Sequence, residues 1–317
     1  MDNTLYLKAY QLIKNSNNIL LVTHDQPDGD AIASVCALAE LLDILTKRYT
    51  VFCADLPNRQ FDFLPHLEKF TNRLEAFDFD LILAVDCGSM SRTKLTEQLT
   101  KRKTDQLIVE FDHHPKTEDY ANLEIRNPLA ASTTEIIYNF LKANKIKVNK
   151  NLASCILTGI VTDTFNFLYP ATSSATVEIA SEMLSSGARL PQIMENTWRN
   201  KSITTMKTWG KALSNLQINS KYNFAITVLS SADMAKEVND EELDGIAGFL
   251  SSLHEVKGIL MLRQQKDGKI KGSLRTAQPK IDISRLANLL GGGGHAKASG
   301  FTIEGRIEKT DSGWRVV

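Results

Sequence analysis

Short apolar runs alternate with amphipathic segments through the first two thirds of the chain, and this alternation restricts the fold more than any other feature. The runs lie at residues 19–23, 49–52, 81–85 and 107–111. Continuous apolar runs of this length are typical of strands buried on both faces. Strands separated by helices pair in parallel, because the chain crosses over the sheet before the next strand begins. The pattern therefore predicts an α/β fold whose N-terminal parallel sheet has helices on both faces.

The segments between and after these runs have helical spacing. Ser132 and Glu135 are placed as in a capping box, which predicts a helix start at that point. A long mixed stretch follows Gly187 and Pro191 without a strand signal, so we expect a helical connector there. The other helices predicted from apolar side chains at intervals of three and four lie at residues 31–45, 151–162 and 175–185.

The C-terminal third carries a different pattern. It predicts strands at 223–229, 256–264 and 270–276, with a helix at 241–253. The last two strands are separated by the turn sequence Lys266-Asp-Gly-Lys269 and so predict a hairpin. Because 317 residues exceed what one core usually supports, we expect two domains. The predicted limits are 1–190 for the first domain, 191–220 for a helical linker and 221–317 for a smaller α+β domain.

The charge balance restricts the ligands. Lys and Arg total 37, as do Asp and Glu, so the formal net charge is +0. A chain without a general positive field has little attraction for a long polyanion. We therefore expect any nucleic-acid ligand to be short.

The cysteines and the apolar segments indicate a cytoplasmic protein. Cys36, Cys53, Cys87 and Cys155 are far apart in sequence, which favours reduced structural thiols. The N-terminus has no basic-then-apolar signal, and residues 31–42, the longest apolar stretch, are too few to span a bilayer. We expect no membrane association, and the sequence leaves a homodimer open.

Acidic and imidazole side chains follow the predicted strands where each strand ends. They are His24, Asp28 and Asp30 after the first run, Asp86 after the third, Asp112, His113 and His114 after the fourth, and Asp163 after the helix at 151–162. Each one alone is more often a turn, cap or surface residue than a functional one. Because parallel strands end at a common edge, where open α/β folds bind ligands, we expect these side chains to converge.

Converging carboxylates repel one another, so the cluster is stable only if cations neutralise it or some of the acids are protonated. Mixed carboxylate and imidazole ligands suit Mn²⁺, whereas a structural zinc site favours cysteine. Two divalent ions about 3.5–4 Å apart activate water and clamp phosphoryl oxygens. The sequence therefore predicts a site for two divalent metal ions, with Mn²⁺ as the expected ion.

A glycine run marks the second domain. Gly291, Gly292, Gly293 and Gly294 precede His295 and Ser299. The run lies between an apolar helix at 283–290 and a strand-like segment at 301–303, which favours a phosphate-binding loop over a flexible linker. Arg275 ends a predicted strand and offers a fork suited to bidentate phosphate contact, although a solvated arginine is the alternative.

These residues together resemble the DHH phosphoesterase family. The resemblance is carried by His24-x-x-x-Asp28-x-Asp30, Asp86, Asp112-His113-His114, Asp163 and, near the C-terminus, Ser-Leu-Arg275 and the glycine run before His295. It spans nearly the whole chain, and the closest likeness is to the bacterial branch that acts on nano-RNA and adenosine 3′,5′-bisphosphate (pAp). The C-terminal strings look like the DHH-associated substrate-binding domain.

The resemblance implies a role for each residue. One Mn²⁺ would be held by His24, Asp28 and Asp86, and the other by Asp30, Asp86, His113 and Asp163, with Asp86 as the bridge. His114 would contact the phosphate or assist the leaving group, and Asp112 would support the imidazoles. The residues expected to grip a nucleotide phosphate are Arg275, Gly292, Gly293, Gly294, His295 and Ser299.

The implied activity is hydrolysis of short oligonucleotides to mononucleotides, with removal of the 3′-phosphate of pAp. The alternatives are cleavage of a cyclic or linear dinucleotide and, from another class, a regulatory protein that binds nucleotides without turnover. Processive degradation of long strands is disfavoured by the charge balance. The sequence departs from the family at Phe165-Asn166, where glycine and a nearby arginine are common, and at Ala33, where glycine is frequent.

Overall fold

The computed structural model describes residues 3–233, 243, 245–265, 267–278, 280–310 and 313–317, and it divides into two compact units, Met1–Arg199 and Asn200–Val317. The strands of the first unit are β1 Asn18–Val22, β2 Arg48–Phe52, β3 Phe70–Thr71, β4 Leu81–Val85, β5 Leu107–Asp112 and β6 Leu123–Arg126. Its helices are α1 Asn3–Asn15, α2 Gly29–Ile44, α3 Thr96–Thr100, α4 Thr133–Ala143, α5 Lys150–Asp163, α6 Ser174–Ser185 and α7 Leu190–Thr197.

The strands of the first unit form one parallel sheet in the order β3-β2-β1-β4-β5-β6. The chain winds outward in one direction from β1 and in the other from β4, so the topological switch point lies between these two strands. The predicted α/β fold is confirmed. β3 and β6 were not predicted, because the first has two residues and the second, Leu-Glu-Ile-Arg, alternates polar and apolar side chains.

The two faces of the sheet are covered unequally. Side chains such as Leu21, Leu83 and Phe111 pack under α1, α2, α4, α5 and α6. On the other face, Leu20 and Ile82 pack with Leu99 of the short helix α3 and with loop residues. α2 lies deepest, since every residue from Gly29 to Leu42 is buried, and this explains why its sequence is apolar on all sides.

The second unit is built around a mixed sheet. Its helices are α8 Ile203–Ser214, α9 Ile246–Leu250 and α10 Ser284–Leu289, and its strands are β7 Gln217–Asn219, β8 Phe224–Leu229, β9 Gly258–Gln264, β10 Lys269–Arg275, β11 Gly293–His295, β12 Ala298–Glu304, β13 Ile307–Thr310 and β14 Gly313–Val316. The main sheet has the order β11-β12-β10-β9-β8-β7. In the described part of the chain, no helix is long and apolar enough to cross a membrane.

The predicted elements of this unit agree with the structure where it is described. β9 and β10 form the expected antiparallel hairpin, and Lys266 of its turn lies outside the described residues. Of the helix predicted at 241–253, residues 241, 242 and 244 lie outside the described residues, and α9 occupies part of the remainder.

The glycine run differs from the expected loop. Gly293–His295 forms the edge strand β11, which pairs antiparallel with β12. A Cβ atom on Gly292 would lie 2.1 Å from the carbonyl oxygen of Gly300, and one on Gly294 would lie 2.7 Å from that of Ala298. Close approach of two backbones therefore accounts for glycine at these positions.

Candidate metal centre and phosphate-binding residues

The carboxyl edge of the first sheet gathers the predicted acids and imidazoles. β1 leads into the turn that carries His24, β4 is followed directly by Asp86, and β5 ends at Asp112 beside His113. Asp163 reaches the same place as the last residue of α5. We call His24, Asp28, Asp30, Asp86, His113 and Asp163 the acidic cluster.

His24 and Asp28 each use one atom for structure. Nδ1 of His24 lies 2.6 Å from the carbonyl oxygen of Asp25, which leaves Nε2 on the opposite side of the ring, 3.9 Å from Oδ2 of Asp28. Oδ1 of Asp28 caps α2 by accepting hydrogen bonds from the amides of Asp30 and Ala31, at 3.1 and 3.0 Å. Ligand atoms of His24, Asp28 and Asp86 lie within 4.8 Å of one another.

Asp30, His113 and Asp163 form a second group, also within 4.8 Å. Both oxygens of Asp30 accept amide hydrogen bonds from the first turn of α4, from Thr133 at 2.6 Å and from Thr134 at 3.1 Å. Nδ1 of His113 lies 3.3 Å from the carbonyl oxygen of Ala130. Its Nε2 therefore points to the acids and lies 3.5 Å from Asp163 Oδ2 and 4.0 Å from Asp30 Oδ2.

Asp86 lies between these two groups. Its Oδ1 accepts a hydrogen bond from Thr133 Oγ1 at 2.7 Å and lies 3.7 Å from His113 Nε2. The residue is 1% exposed, and its φ angle is 56°. Asp adopts this left-handed backbone conformation more readily than most residues.

His114 is held by a buried network that the sequence did not reveal. Oδ1 of Asp112 accepts hydrogen bonds from the His114 amide at 2.7 Å and from its Nδ1 at 2.8 Å. Arg126, which is paired with Asp112 in the β5–β6 register, donates to the His114 carbonyl at 2.5 Å and to Glu110 at 2.6 Å. One sequence feature pointed to this network. Glu110 lies inside the apolar run at 107–111, and a buried carboxylate needs a hydrogen-bond partner.

Three further contacts were also missed. Thr133 and Thr134 hold Asp30, although the sequence predicted only the helix start at Ser132, whose Oγ accepts from the Glu135 amide at 3.1 Å. Gly159 of α5 leaves room for Asp30, because a Cβ atom at this position would lie 2.3 Å from Asp30 Oδ1. All three depend on contacts between elements far apart in sequence, which spacing alone does not predict.

The protonation behaviour of the cluster reflects crowding of acids. Burial and the charges of Asp86 and Asp163 raise the pKa of Asp30 well above its usual range. Burial, with Asp28 and Asp86, also raises the pKa of Asp163, to about 6. For Asp86, burial acts in the same direction, but hydrogen bonding to His114 and the charges of the neighbouring imidazoles outweigh it and lower the pKa. Two acids are therefore disfavoured as anions unless positive charge is added.

A divalent cation fits these residues. Nε2 of His24 is buried and has no hydrogen-bond partner among the described residues, and leaving such an atom unpaired is costly. Its other nitrogen is fixed by a backbone carbonyl, as in imidazoles that bind metals. Oxygen and imidazole donors converge on the same space, which is the donor set of Mn²⁺ and related ions. The acidic cluster can therefore hold metal ions.

The predicted phosphate-binding residues lie at one end of the second sheet. In the strand register, Arg275 pairs with Ala298, and Ala298 pairs with His295. Arg275 Nη1 donates to the carbonyl oxygens of Leu274 at 2.8 Å and Ser299 at 3.3 Å. Ser299 is buried, and its hydroxyl donates to the His295 carbonyl at 2.6 Å. We call Arg275, Gly292, Gly293, Gly294, His295 and Ser299 the glycine edge.

Comparison with known families agrees with the two units. Residues 18–160 match the DHH family, N-terminal domain, and residues 221–312 match the DHHA1 domain.

Relatives match over most of the chain. The bifunctional oligoribonuclease and PAP phosphatase NrnA of Thermus thermophilus is 27% identical over 90% of this chain and 84% of its own length. The protein of the same name from Bacillus subtilis is 26% identical over 90% of both chains. The crystal structure of an exopolyphosphatase-related protein from Bacteroides fragilis superposes with a TM-score of 0.86 at 26% identity, covering 96% of this chain and 92% of that one.

Proposed function

We propose that this chain, which carries a DHH N-terminal domain at residues 18–160 and a DHHA1 domain at residues 221–312, is a metal-dependent phosphoesterase that hydrolyses short oligonucleotides to mononucleotides and pAp to AMP. The names of its Thermus and Bacillus relatives, oligoribonuclease and PAP phosphatase, support both substrates. The balanced net charge supports the restriction to short ones.

One observation carries the proposal. In His24, Asp28 and His113, one atom of the side chain makes a structural contact and another points into the acidic cluster. Nε2 of His24 is the clearest case, since it is buried and has no hydrogen-bond partner among the described residues. Asp30 and Asp86 are buried beside these imidazoles, and buried carboxylates crowded in this way are costly without cations. A purely structural polar cluster would instead satisfy its own donors and acceptors.

We assign the ligands to two ions. His24, Asp28 and Asp86 would hold one, and Asp30, Asp86, His113 and Asp163 the other, with Asp86 shared. Mn²⁺ is the proposed metal, because the donors are carboxylates and imidazoles rather than thiolates. Bound divalent ions would supply the Lewis acidity that activates water and neutralises phosphoryl charge.

His114 and Asp112 are the proposed catalytic pair. Asp112 fixes His114 through Nδ1, so that Nε2 is the nitrogen available to a phosphate or a leaving group. Burial opposes protonation of His114, but its bonds to Asp112 and Asp86 raise its pKa well above the usual range. Nε2 of this imidazole would contact the phosphate or pass a proton to the leaving oxygen.

The remaining proposals concern the roles of the domains and the location of the protein. We propose residues 1–190 as the catalytic domain, 191–220 as the linker and 221–317 as the substrate-binding domain, in which the glycine edge contacts a substrate phosphate. The four cysteines are buried and free, which suits the cytoplasmic location proposed from the sequence.

A panel of substrates and metals tests the function. RNA of two to five nucleotides, a long single strand, pAp and cyclic di-AMP would each be incubated with Mn²⁺, Mg²⁺, Co²⁺ or EDTA. We expect mononucleotides from the short RNA and AMP from pAp with Mn²⁺, an intact long strand, and no turnover in EDTA.

Two results would contradict the proposal. Preferred cleavage of cyclic di-AMP would favour the dinucleotide alternative. Tight nucleotide binding without turnover under any of the metals would favour a regulatory protein.

A further inference from the structure

The segment that follows Asp163 places aromatic side chains next to the acidic cluster. Phe165 is only two residues beyond Asp163, so their Cα atoms are at most about 7.6 Å apart. Asp163 itself is 28% exposed at its side chain and is thus the member of its group most open to solvent. The segment after Asp163 therefore begins beside a partly exposed member of the acidic cluster.

Three rings of this segment and of the end of α7 are in contact. The Phe165 ring lies nearly parallel to that of Tyr169, with 5.6 Å between centroids and 17° between planes. The Phe165 and Trp198 rings are nearly perpendicular, with 4.9 Å between centroids and 84° between planes. All three residues are partly exposed, and Leu168 between them is 73% exposed. We call Phe165, Tyr169 and Trp198 the aromatic platform.

The backbone here is unfavourable for the residues that occupy it. Phe165, Asn166 and Phe167 have φ angles of 50°, 59° and 67°, in the left-handed region that favours glycine. The Asn166 amide nevertheless closes the helix by donating to the Val161 carbonyl at 2.9 Å. Glycine would close it without strain. Phe167 packs against the hydrophobic core of the first unit, whereas the Phe165 ring lies in the aromatic platform, so the strain at Phe165 indicates a role for its side chain there.

From this arrangement we propose that the aromatic platform stacks a nucleobase of the substrate while the attached phosphate lies at the acidic cluster. The inference deepens the proposed function, on which it depends for the position of the phosphate. Stacking on the platform would favour phosphate esters in which the phosphate and a base are attached to the same sugar over esters that have no base.

The chemistry of the rings suits this role. Every base presents a π-face, so stacking discriminates little between base identities. It adds affinity of about 10-fold to 100-fold per stacked base. A platform of this kind also needs no positive charge, which agrees with the balanced charge of the chain.

Kinetics with paired substrates test the platform. A dinucleotide would be compared with the same dinucleotide made abasic at one position or the other, in the wild type and in Phe165→Leu, which keeps an apolar side chain but removes the π-surface. We expect KM for the intact dinucleotide to rise about 10-fold, kcat to change less than about threefold, and KM for one of the abasic substrates to stay unchanged.

Phe77→Leu is the matched control. Phe77 is also partly exposed and meets Phe79 edge-on at 5.7 Å and 85°, but it precedes β4 and so lies towards the opposite edge of the sheet from Asp86. We expect no change in KM for this variant. Equal rises in KM for intact and both abasic substrates in Phe165→Leu, or no rise at all, would overturn the proposal.

A binding measurement separates this inference from the proposed function. Fluorescence of the metal-loaded protein would be titrated with AMP and with ribose 5-phosphate, which share the phosphate and sugar but not the base. We expect AMP to quench the emission and ribose 5-phosphate to leave it unchanged. The quenching by AMP should be lost in Trp198→Phe. This result would support the platform even if no substrate were hydrolysed, whereas equal quenching by both compounds, or by neither, would refute it.

Discussion

The acidic cluster of the first unit and the glycine edge of the second unit are constructed in opposite ways. In the acidic cluster, side chains make a structural contact with one atom and direct another into a shared space, as His24 does with Nδ1 and Nε2. In the glycine edge, Arg275 and Ser299 donate to backbone carbonyls of their own sheet, and glycine is required because strands approach closely.

From this contrast we expect the acidic cluster to control the chemical step and the glycine edge to control substrate affinity. Buried acids that are disfavoured as anions need a cation, so the acidic cluster is coupled to metal binding and turnover. The glycine edge offers an arginine fork, strand amides and the imidazole of His295, which we assign to phosphate binding. Substitutions should therefore affect kcat in the first region and KM in the second.

The largest effect is expected from Asp86→Asn. Asparagine tolerates the left-handed backbone of this position and can still accept from Thr133, so the fold should persist. The lost charge removes the ligand shared by both proposed ions, and we expect kcat to fall at least roughly 1000-fold, since metal ions supply several kcal/mol of charge stabilisation. Steady-state kinetics with saturating Mn²⁺ measure this.

Asp80→Asn is the matched control for that substitution. Asp80 precedes the strand that Asp86 follows, and its carboxylate accepts from the amides of Asn17 at 2.7 Å and Asn18 at 3.0 Å. We expect its kcat to stay within about twofold of wild type, because no step of catalysis depends on it. Similar losses in the two variants, or full activity in Asp86→Asn, would remove the distinction between the cluster and the rest of the fold.

A smaller effect is expected from Arg275→Ala. Hydrogen bonds to charged groups contribute about 1.5–3 kcal/mol, so KM for a dinucleotide should rise about 10-fold to 100-fold, with kcat nearly unchanged. Arg285→Ala is the control, since Arg285 belongs to the same unit, is 86% exposed and pairs only loosely with Asp282 at 3.6 Å. If Arg275→Ala lowered kcat and left KM unchanged, the glycine edge would take part in the chemical step, and the assignment of that step to the acidic cluster would be wrong.

The sequence allowed prediction of the sheet edge but not of the atoms used there. β4 matches the predicted range of 81–85, because a continuous apolar run has few alternatives. The position of Asp86 follows from the end of that strand. The Arg126 contact with His114 did not follow, since it depends on the register between β5 and the short, polar strand β6.

The glycine run shows a second limit of sequence reasoning. Glycine is favoured where backbone amides must be exposed to bind an anion, and also where two strands pack closely. The two interpretations differ in what lies opposite the glycines, which is an anion in the first and another strand in the second. In the structure the backbone of β12 lies opposite Gly292 and Gly294. That partner comes later in the chain, and the local sequence of the run contains no signal for it.

The smallest effect is expected at Glu40, a buried acid whose partners are all protein groups. Its carboxylate accepts hydrogen bonds from Asn149 at 2.6 Å, Asn151 at 3.0 Å and His66 at 2.6 Å. Burial alone would raise the pKa of Glu40, but these bonds outweigh it and lower the pKa. Unlike the acidic cluster, this group is satisfied without a cation, so Glu40→Gln should cost about 1–2 kcal/mol of unfolding free energy and leave kcat unchanged.

The pH dependence of that cost has a definite sign. A carboxyl whose pKa is lower in the folded state stabilises the fold above its unfolded pKa of roughly 4.3, and this contribution is lost as the pH falls through the folded value. Urea unfolding of wild type and Glu40→Gln should therefore differ most near neutral pH and converge in acid. Glu97→Gln, at a glutamate whose side chain is 74% exposed and paired with Lys101, should differ from wild type by less than about 0.5 kcal/mol throughout. A loss of turnover in Glu40→Gln, or a stability difference that grows in acid, would mean that a satisfied acid and a metal-binding acid cannot be told apart by their hydrogen-bond partners.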